Sequence, residues 1–218
     1  MHMLSVKKSM KKTMPFVLSA ALAVGAVTSA DLPFLQGTPL APAVASAAIS
    51  KTWDFSKDIG GWTYFGNYNY DSTAAAVYDP AFGGSLKLTV DYSKDKDETW
   101  SEVKLADPGI SKAAPITVAN CNVVEFDLYY DPSKISGDST FKVKVYAKDD
   151  KDDEVINDLA DDIGMSRAKP VEGSNLKRVH VKVPLMDTYS GKISHLELSV
   201  VSYLSGYKGD LYINNIQM

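Results

Sequence analysis

Apolar and polar residues alternate in a series of short segments along most of this chain. The alternation is clear at Leu86, Leu88 and Val90, and it returns in later segments, at Val103 and Leu105, Val124 to Leu128, Phe141 to Val145, Val179 to Val183, Leu196 to Val200, and Leu211 and Ile213. A period of two residues places one face of a β-strand in a core and leaves the other in solvent. Gly-, Pro- and Asp-containing turns separate the segments. The sequence therefore predicts an all-β protein, an antiparallel β-sandwich.

One segment departs from this pattern. Val155, Ile156, Leu159 and Ile163 recur at the spacing of a helix face. The residues from Glu154 to Gly164 are therefore interpreted either as a short helix or as an irregular strand.

The amino terminus has the pattern of a secretory signal peptide. Four lysines precede an apolar stretch that runs from Phe16 to Val27, followed by small residues. Cleavage motifs end at Ala30 and at Ala47. No later segment is apolar and long enough to span a bilayer. We expect a secreted, extracellular protein in which residues 1–47 are a signal peptide and Pro/Ala-rich leader and residues 48–218 are one domain.

Composition narrows the range of partners. The net charge is −4, with lysines and acidic residues interspersed, so no basic stripe favours nucleic acid. A neutral partner fits better, and we expect a monomer without membrane contact. Cys121 is the only cysteine, which excludes an intramolecular disulfide and predicts a buried thiol.

Aromatic and amide side chains are concentrated early in the predicted domain. The densest group comprises Trp62, Tyr64, Asn67, Tyr68, Asn69 and Tyr70. Exposed Trp and Tyr rings stack on the flat C–H face of a pyranose, while amides and charged groups bind its hydroxyls. Trp62 is interpreted either as a stacking residue or as part of the core, and Trp53 as part of the core.

A second candidate site begins at Trp100. The alternation of the segment places Trp100, Glu102 and Lys104 on one strand face. A tryptophan beside charged residues is better explained by a surface site than by burial. Trp100 is thus predicted to stack on a sugar, with Glu102 and Lys104 as hydrogen-bonding partners.

Support for catalysis or a dedicated metal loop is weak. His180 and His195 lie within strand patterns, without a serine elbow or HExxH motif. The acidic run 149–154 is interpreted as a solvated hairpin tip. The segment 91–102 has acids at EF-hand spacing but a lysine where that loop requires glycine. We therefore expect that this protein is not an enzyme. Two alternative functions stay open, namely a small glycan-active hydrolase or lyase, and a cell-wall or adhesive structural sandwich.

Several motifs together resemble family 27 carbohydrate-binding modules, the β-mannan-binding modules of some endo-β-mannanases. They occur in the family's order from Thr52 to the end of the chain, namely WDF at 53–55, GGW at 60–62, GGSLKLTV at 83–90, WSEVKL at 100–105, VVEFDLYYDP at 123–132, RVHVKV at 178–183 and LYINNI at 211–216. The resemblance implies a jelly-roll sandwich with galactose-binding-like architecture. It also implies a non-catalytic module that binds β-mannan, glucomannan or galactomannan and targets a mannan-degrading enzyme to polysaccharide.

The resemblance also implies site residues. Trp62 and Trp100 match two of the family's stacking tryptophans, whereas a third, expected after the strand around Val145, has no counterpart. Tyr146 is the nearest aromatic residue that could replace it.

Modules of this architecture often hold a structural calcium ion between the first and last strands, where Asp54 and Asn214 fall. No cofactor is otherwise required. If one calcium binds only the native state, a chelator will lower the melting temperature without preventing folding. Thermal unfolding with and without EDTA measures this change in melting temperature. An unchanged melting temperature would contradict the prediction of a structural calcium ion.

Overall fold

Twelve β-strands are present in the computed structural model, which describes residues 51–69, 74–137 and 140–218. They are β1 (Thr52–Trp53), β2 (Thr63–Tyr68), β3 (Ala76–Asp79), β4 (Ser85–Asp91), β5 (Ser101–Ala106), β6 (Ile116–Tyr130), β7 (Phe141–Lys148), β8 (Glu154–Ala160), β9 (Lys169–Pro170), β10 (Lys177–Ile193), β11 (His195–Ser202) and β12 (Lys208–Gln217). Short 3₁₀ turns occur at Ala81–Gly83, Ser93–Asp95, Pro132–Lys134 and Met165–Arg167. The predicted leader and Tyr70 lie outside the described residues. Within the described ranges, no helix has the length and apolar character needed to span a bilayer.

The strands form two antiparallel sheets. One has the order β3-β4-β12-β6-β10-β9, with β1 also paired to β12, and the other has the order β2-β5-β11-β7-β8. The predicted all-β antiparallel β-sandwich is confirmed.

The core lies between the two sheets and follows the predicted alternation. Leu86 and Leu88 of β4 are fully buried, as are Val103 and Leu105 of β5. In β7, Phe141 and Val143 are also fully buried, while the intervening lysines remain partly exposed. Each strand therefore contributes one face to the core and keeps the other for the surface.

The segment that begins at Glu154 is a strand, so its helical interpretation is wrong. Asp158 pairs with the buried Val145, which places an acidic residue on the inner face of β8 between the buried Ile156 and Ala160. Its Oδ1 accepts a hydrogen bond from the backbone N–H of Met186 at 3.1 Å. Because β8 is an edge strand, this charge is tolerated there, and it interrupts the two-residue apolar period.

Other predictions from the sequence can be placed directly. Cys121 is a buried free thiol within β6, and burial raises its pKa. The acidic run forms the turn between β7 and β8, where Asp149 Oδ1 accepts hydrogen bonds from the N–H groups of Lys151 and Asp153. Both His180 and His195 are strand residues, as expected.

A buried carboxylate stabilises the outer face of the larger sheet. Asp127 is 3% exposed, and its Oδ2 accepts hydrogen bonds from Arg178 Nη2 at 2.8 Å and Asn215 Nδ2 at 3.3 Å. His180 Nδ1 lies 3.2 Å from its Oδ1. Burial alone would raise the pKa of this carboxyl, but the hydrogen bonds, chiefly from Arg178, outweigh burial and hold the pKa below its usual value.

We expect Asp127→Ala to lower the free energy of unfolding by about 1–3 kcal/mol at neutral pH, because the Arg178 and Asn215 donors lose a charged acceptor. The folded-state pKa is depressed, so the contribution is complete above the ordinary aspartate pKa of about 3.9 and is lost as the pH falls through the folded-state pKa. Urea unfolding at neutral and acidic pH measures both effects. The exposed Asp187 supplies the control, since Asp187→Ala should change stability by no more than about 0.5 kcal/mol. Equal losses from both variants would contradict the role of Asp127.

Candidate functional site

An open cleft of about 650 Å³ lies over the outer face of the five-stranded sheet. Its floor follows the strand register, in which Ser199 of β11 pairs with Lys104 of β5 on one side and with Lys144 of β7 on the other. Glu197 similarly pairs with Tyr146. The cleft is lined by Phe65, Glu102, Lys104, Ile110, Ser111, Lys112, Lys144, Tyr146, Lys148, Asp152, Ser194, His195 and Glu197.

Strand β5 positions the predicted charged pair as its alternation indicates. Val103 and Leu105 point into the core and are fully buried, so Glu102 and Lys104 belong to the opposite, cleft-facing side. Trp100 immediately precedes β5 and is half-buried. It lies beside the cleft and does not contribute to its lining.

Glu102 organises this end of the cleft from a nearly buried position. It is 5% exposed, and its Oε2 accepts a hydrogen bond from the indole N–H of Trp100 at 2.9 Å. Its Oε1 accepts from Ser199 Oγ at 2.9 Å and lies 3.7 Å from Lys104 Nζ. Both carboxylate oxygens are therefore engaged by the protein, and the arrangement orients the Trp100 ring and restrains the Lys104 ammonium group.

Trp62 does not take part in the cleft. It is 1% exposed, and its ring packs edge-on against Trp53, with centroids 5.6 Å apart. Gly60 and Gly61 precede it with positive φ angles of 58° and 88°, which allows the tight turn that directs the indole inward. The prediction that Trp62 stacks on a sugar is wrong in this structure, and its alternative interpretation as core is correct.

The remaining predicted aromatic residues divide between the core and the surface. Tyr64 is half-buried and packs against the core, so it is not an open stacking platform. Tyr68 is 56% exposed and pairs in register with Glu102, which places it on the cleft-facing side beyond the cleft lining.

Phe65 is a cleft residue that the sequence did not predict. The register of β2 against β5 shifts between Tyr64 and Gly66, so Phe65 occupies a β-bulge. It is 54% exposed, and its ring centroid lies 5.2 Å from that of His195. Gly66 inside a strand pattern is the one sequence signal for this bulge.

Phe65 and two other rings form an aromatic row along the cleft. His195 lies between Phe65 and Tyr146, with a centroid distance of 6.3 Å to Tyr146. His195 Nε2 is 2.5 Å from Glu197 Oε1, which orients the imidazole ring. The row combines flat apolar faces with polar edges, an arrangement able to hold a sugar chain by stacking and hydrogen bonding.

The predicted calcium ligands have protein partners of their own. Asp54 accepts hydrogen bonds from Ser56, through Oδ1 from its N–H at 2.9 Å and through Oδ2 from its hydroxyl at 3.0 Å. Asn214 Nδ2 donates to the carbonyl of Phe82 at 3.1 Å. No group of three or more His, Cys, Asp or Glu side chains suited to a metal occurs among the described residues. These two side chains alone do not make a ligand set, and a structural calcium stays a prediction.

The fold and the cleft define this protein as a β-sandwich module with an aromatic-lined cleft across one sheet. Comparison with solved structures shows which proteins share this fold. A family 27 carbohydrate-binding module described for specific mannan recognition aligns with a TM-score of 0.54 and 18% identity, over 79% of this chain and 97% of that one. Family 27 module 1 of Caldicellulosiruptor saccharolyticus, solved in complex with mannohexaose, aligns with a TM-score of 0.58 and 16% identity, over 77% and 94% of the two chains.

The same fold also occurs in a module of different specificity. A family 28 module specific for non-crystalline cellulose aligns with a TM-score of 0.55 and 16% identity, over 72% of this chain and 86% of that one. No family model and no curated protein matches the sequence. At these identities the comparisons establish the fold, and the predicted resemblance to family 27 modules is confirmed at that level.

The position of Trp62 leads to a direct test. We expect Trp62→Ala to lower the free energy of unfolding by about 3–5 kcal/mol, because it leaves a large cavity beside Trp53. The half-buried Trp100 is the matched control, and Trp100→Ala should cost less stability. Urea unfolding measures both. If Trp62→Ala keeps its stability but loses binding to mannohexaose, the assignment of Trp62 to the core would be wrong.

Proposed function

We propose that this protein is a non-catalytic carbohydrate-binding module that holds an internal stretch of β-mannan or glucomannan in the cleft. The observation that carries the proposal is the row of Phe65, His195 and Tyr146 across the outer face of the five-stranded sheet. The rings would stack on successive sugars, and the polar side chains between them would bind hydroxyls. Trp100 would extend the platform at one end, where Glu102 holds its indole N–H.

The comparisons support this proposal through the fold. The two family 27 modules share the sandwich, and one of them was solved with mannohexaose. The family 28 module has the same fold and is specific for cellulose. Preference for mannan would therefore depend on the side chains of the cleft.

The arrangement of carboxylates favours binding over hydrolysis. Glu102 pairs with Val201 and Glu197 pairs with Ala106 along β5 and β11, so the two acids are four residues apart in register. Their Cα atoms are separated by roughly 13 Å along the strands. Glu102 and Glu197 also have protein partners. Their proposed roles are to position Trp100 and His195.

The biological role we propose is to raise the concentration of a mannan-degrading enzyme on its polysaccharide. Linkage of a binding module to a catalyst acts through effective concentration and requires no chemistry from the module. Export to the extracellular space is proposed on the pattern of residues 1–47, and the presence of the protein in the culture medium tests it.

Isothermal titration with mannohexaose and, separately, cellohexaose tests the binding function. We expect saturable binding with preference for mannohexaose, and a loss of at least about 1 kcal/mol, close to fivefold in Kd, in Phe65→Ala and in Trp100→Ala. Tyr78, which is 38% exposed on β3 of the other sheet, supplies the control, and Tyr78→Ala should bind normally.

Binding heat with cellohexaose alone would support a carbohydrate-binding module but contradict its proposed preference for mannan. Absence of heat with both sugars, or an equal loss in Tyr78→Ala, would contradict the proposed site. Thermal unfolding of each variant separates a loss of binding from a loss of fold.

A further inference from the structure

Strand β7 presents an unusual outward face. Its inward residues are the buried Phe141, Val143, Val145 and Ala147. Its outward residues are Lys142, Lys144, Tyr146 and Lys148, each of them half-buried. Three lysines and one aromatic residue are thereby placed in a line along the cleft side of the sheet.

The ion pairs of the cleft leave two of its lysines without a carboxylate. Lys104 is near Glu102, Lys112 pairs with Asp152, and His195 contacts Glu197, and these are the three acids of the lining. Beyond the lining, Lys142 pairs with Asp161 at 2.9 Å. Neither Lys144 nor Lys148 forms an ion pair with any residue of the described ranges.

The strand register places one acid, Glu154, opposite one of these two lysines. Lys144 pairs in register with Ser199 and Leu159, neither of which is charged. Lys148 pairs with His195 and with the exposed Glu154, whose Oε1 accepts a hydrogen bond from Asn157. The hydrogen bond from Lys112 lowers the pKa of Asp152, and the nearby charge of Lys148 lowers it further.

The two ammonium groups lie near the same aromatic ring. Lys144 Nζ is 5.8 Å and Lys148 Nζ is 5.9 Å from the centroid of Tyr146. When a pyranose stacks on an aromatic face, its exocyclic C6 group projects from the edge of the sugar ring. A lysine beside the aromatic ring is then placed to meet that group, and a carboxylate there would receive a charge-assisted hydrogen bond.

We propose that the cleft contains a subsite for a sugar unit that bears a carboxylate, with Tyr146 beneath the sugar ring and Lys144 and Lys148 beside it as carboxylate partners. The proposal rests on the proposed sugar-binding function and extends its substrate class from neutral mannans to chains whose sugar units bear carboxylates. It differs from the expectation of a neutral partner, which was based on the net charge of −4 for the whole chain. The cleft instead has four lysines against three carboxylates.

The sharpest probe pair differs in the C6 group alone. Mannohexaose and a hexamer of β-1,4-linked mannuronate share ring stereochemistry and linkage, but the second has a carboxylate at each C6. We expect the full-length protein to bind the mannuronate hexamer about fivefold more tightly or better, as two partly exposed ion pairs allow. The preference should shrink as NaCl is raised, because salt screens these pairs.

Substitutions of the two lysines test whether they cause the preference for mannuronate over mannohexaose. Lys144→Gln and Lys148→Gln should each lower the ratio of mannuronate to mannohexaose affinity, and Lys144→Arg should retain it. Lys57 is exposed and does not line the cleft, and Lys57→Gln makes the same change in net charge. It should leave both affinities unaltered.

The contrary outcomes are distinct. Equal or tighter binding of mannohexaose would overturn the acidic subsite and leave the proposed function standing. A ratio that falls as much in Lys57→Gln as in the cleft variants would also overturn it, as a general charge effect. Failure of both oligosaccharides to bind would overturn the proposed function together with the subsite.

Discussion

The two-residue period of the strands links the interior of this protein to its cleft. In β7 the burial of Phe141, Val143 and Val145, each at most 1% exposed, contributes about 1.5–3 kcal/mol per side chain. A register slip of one residue would expose these groups and force the intervening lysines into the core. The core therefore determines that Lys144, Tyr146 and Lys148 face the cleft together. The surface chemistry is a consequence of how the interior is packed.

Departures from regular strand geometry shape what the cleft can hold. The β-bulge in β2 adds a residue between Tyr64 and Gly66, so Phe65 reaches the surface while Tyr64 still packs on the core. At the other extreme, Glu102 is almost buried and uses both carboxylate oxygens within the protein. The bulge thus places the Phe65 ring at the surface, and the buried Glu102 restrains the Trp100 ring. Preorganised rings lose less conformational freedom when a ligand binds, which favours affinity.

Sequence reasoning predicted the layers of the sandwich better than the details of its cleft. Alternation was sufficient for the core strands and for the shared face of Glu102 and Lys104, since both depend on local period alone. It failed at Trp62 because a glycine turn determines which way that ring points. It also failed to predict the exposure of Phe65, which depends on a bulge. It left β8 ambiguous because Asp158 lies on the inner face of that strand, where its carboxylate accepts a hydrogen bond from Met186, a residue distant in sequence. Each of these outcomes depends on long-range pairing or backbone conformation that residue spacing does not encode.

Net charge describes the whole chain, whereas a ligand in the cleft responds to the charges nearest to it. At physiological ionic strength the field of an exposed charge decays over about 8 Å, so a ligand in the cleft responds to the nearby lysines more than to acids elsewhere on the chain. Adjacent strands lie about 4.8 Å apart, which places the Cα atoms of Lys104 and Lys144 roughly 10 Å from each other across Ser199, with no acid between them in that row. Glu102 offsets the charge of Lys104 but lies one row further along β5. Lys144 and Lys148 place positive charge over β7, beside the ring of Tyr146, and this is where the proposed subsite would stabilise an anionic group on a bound glycan.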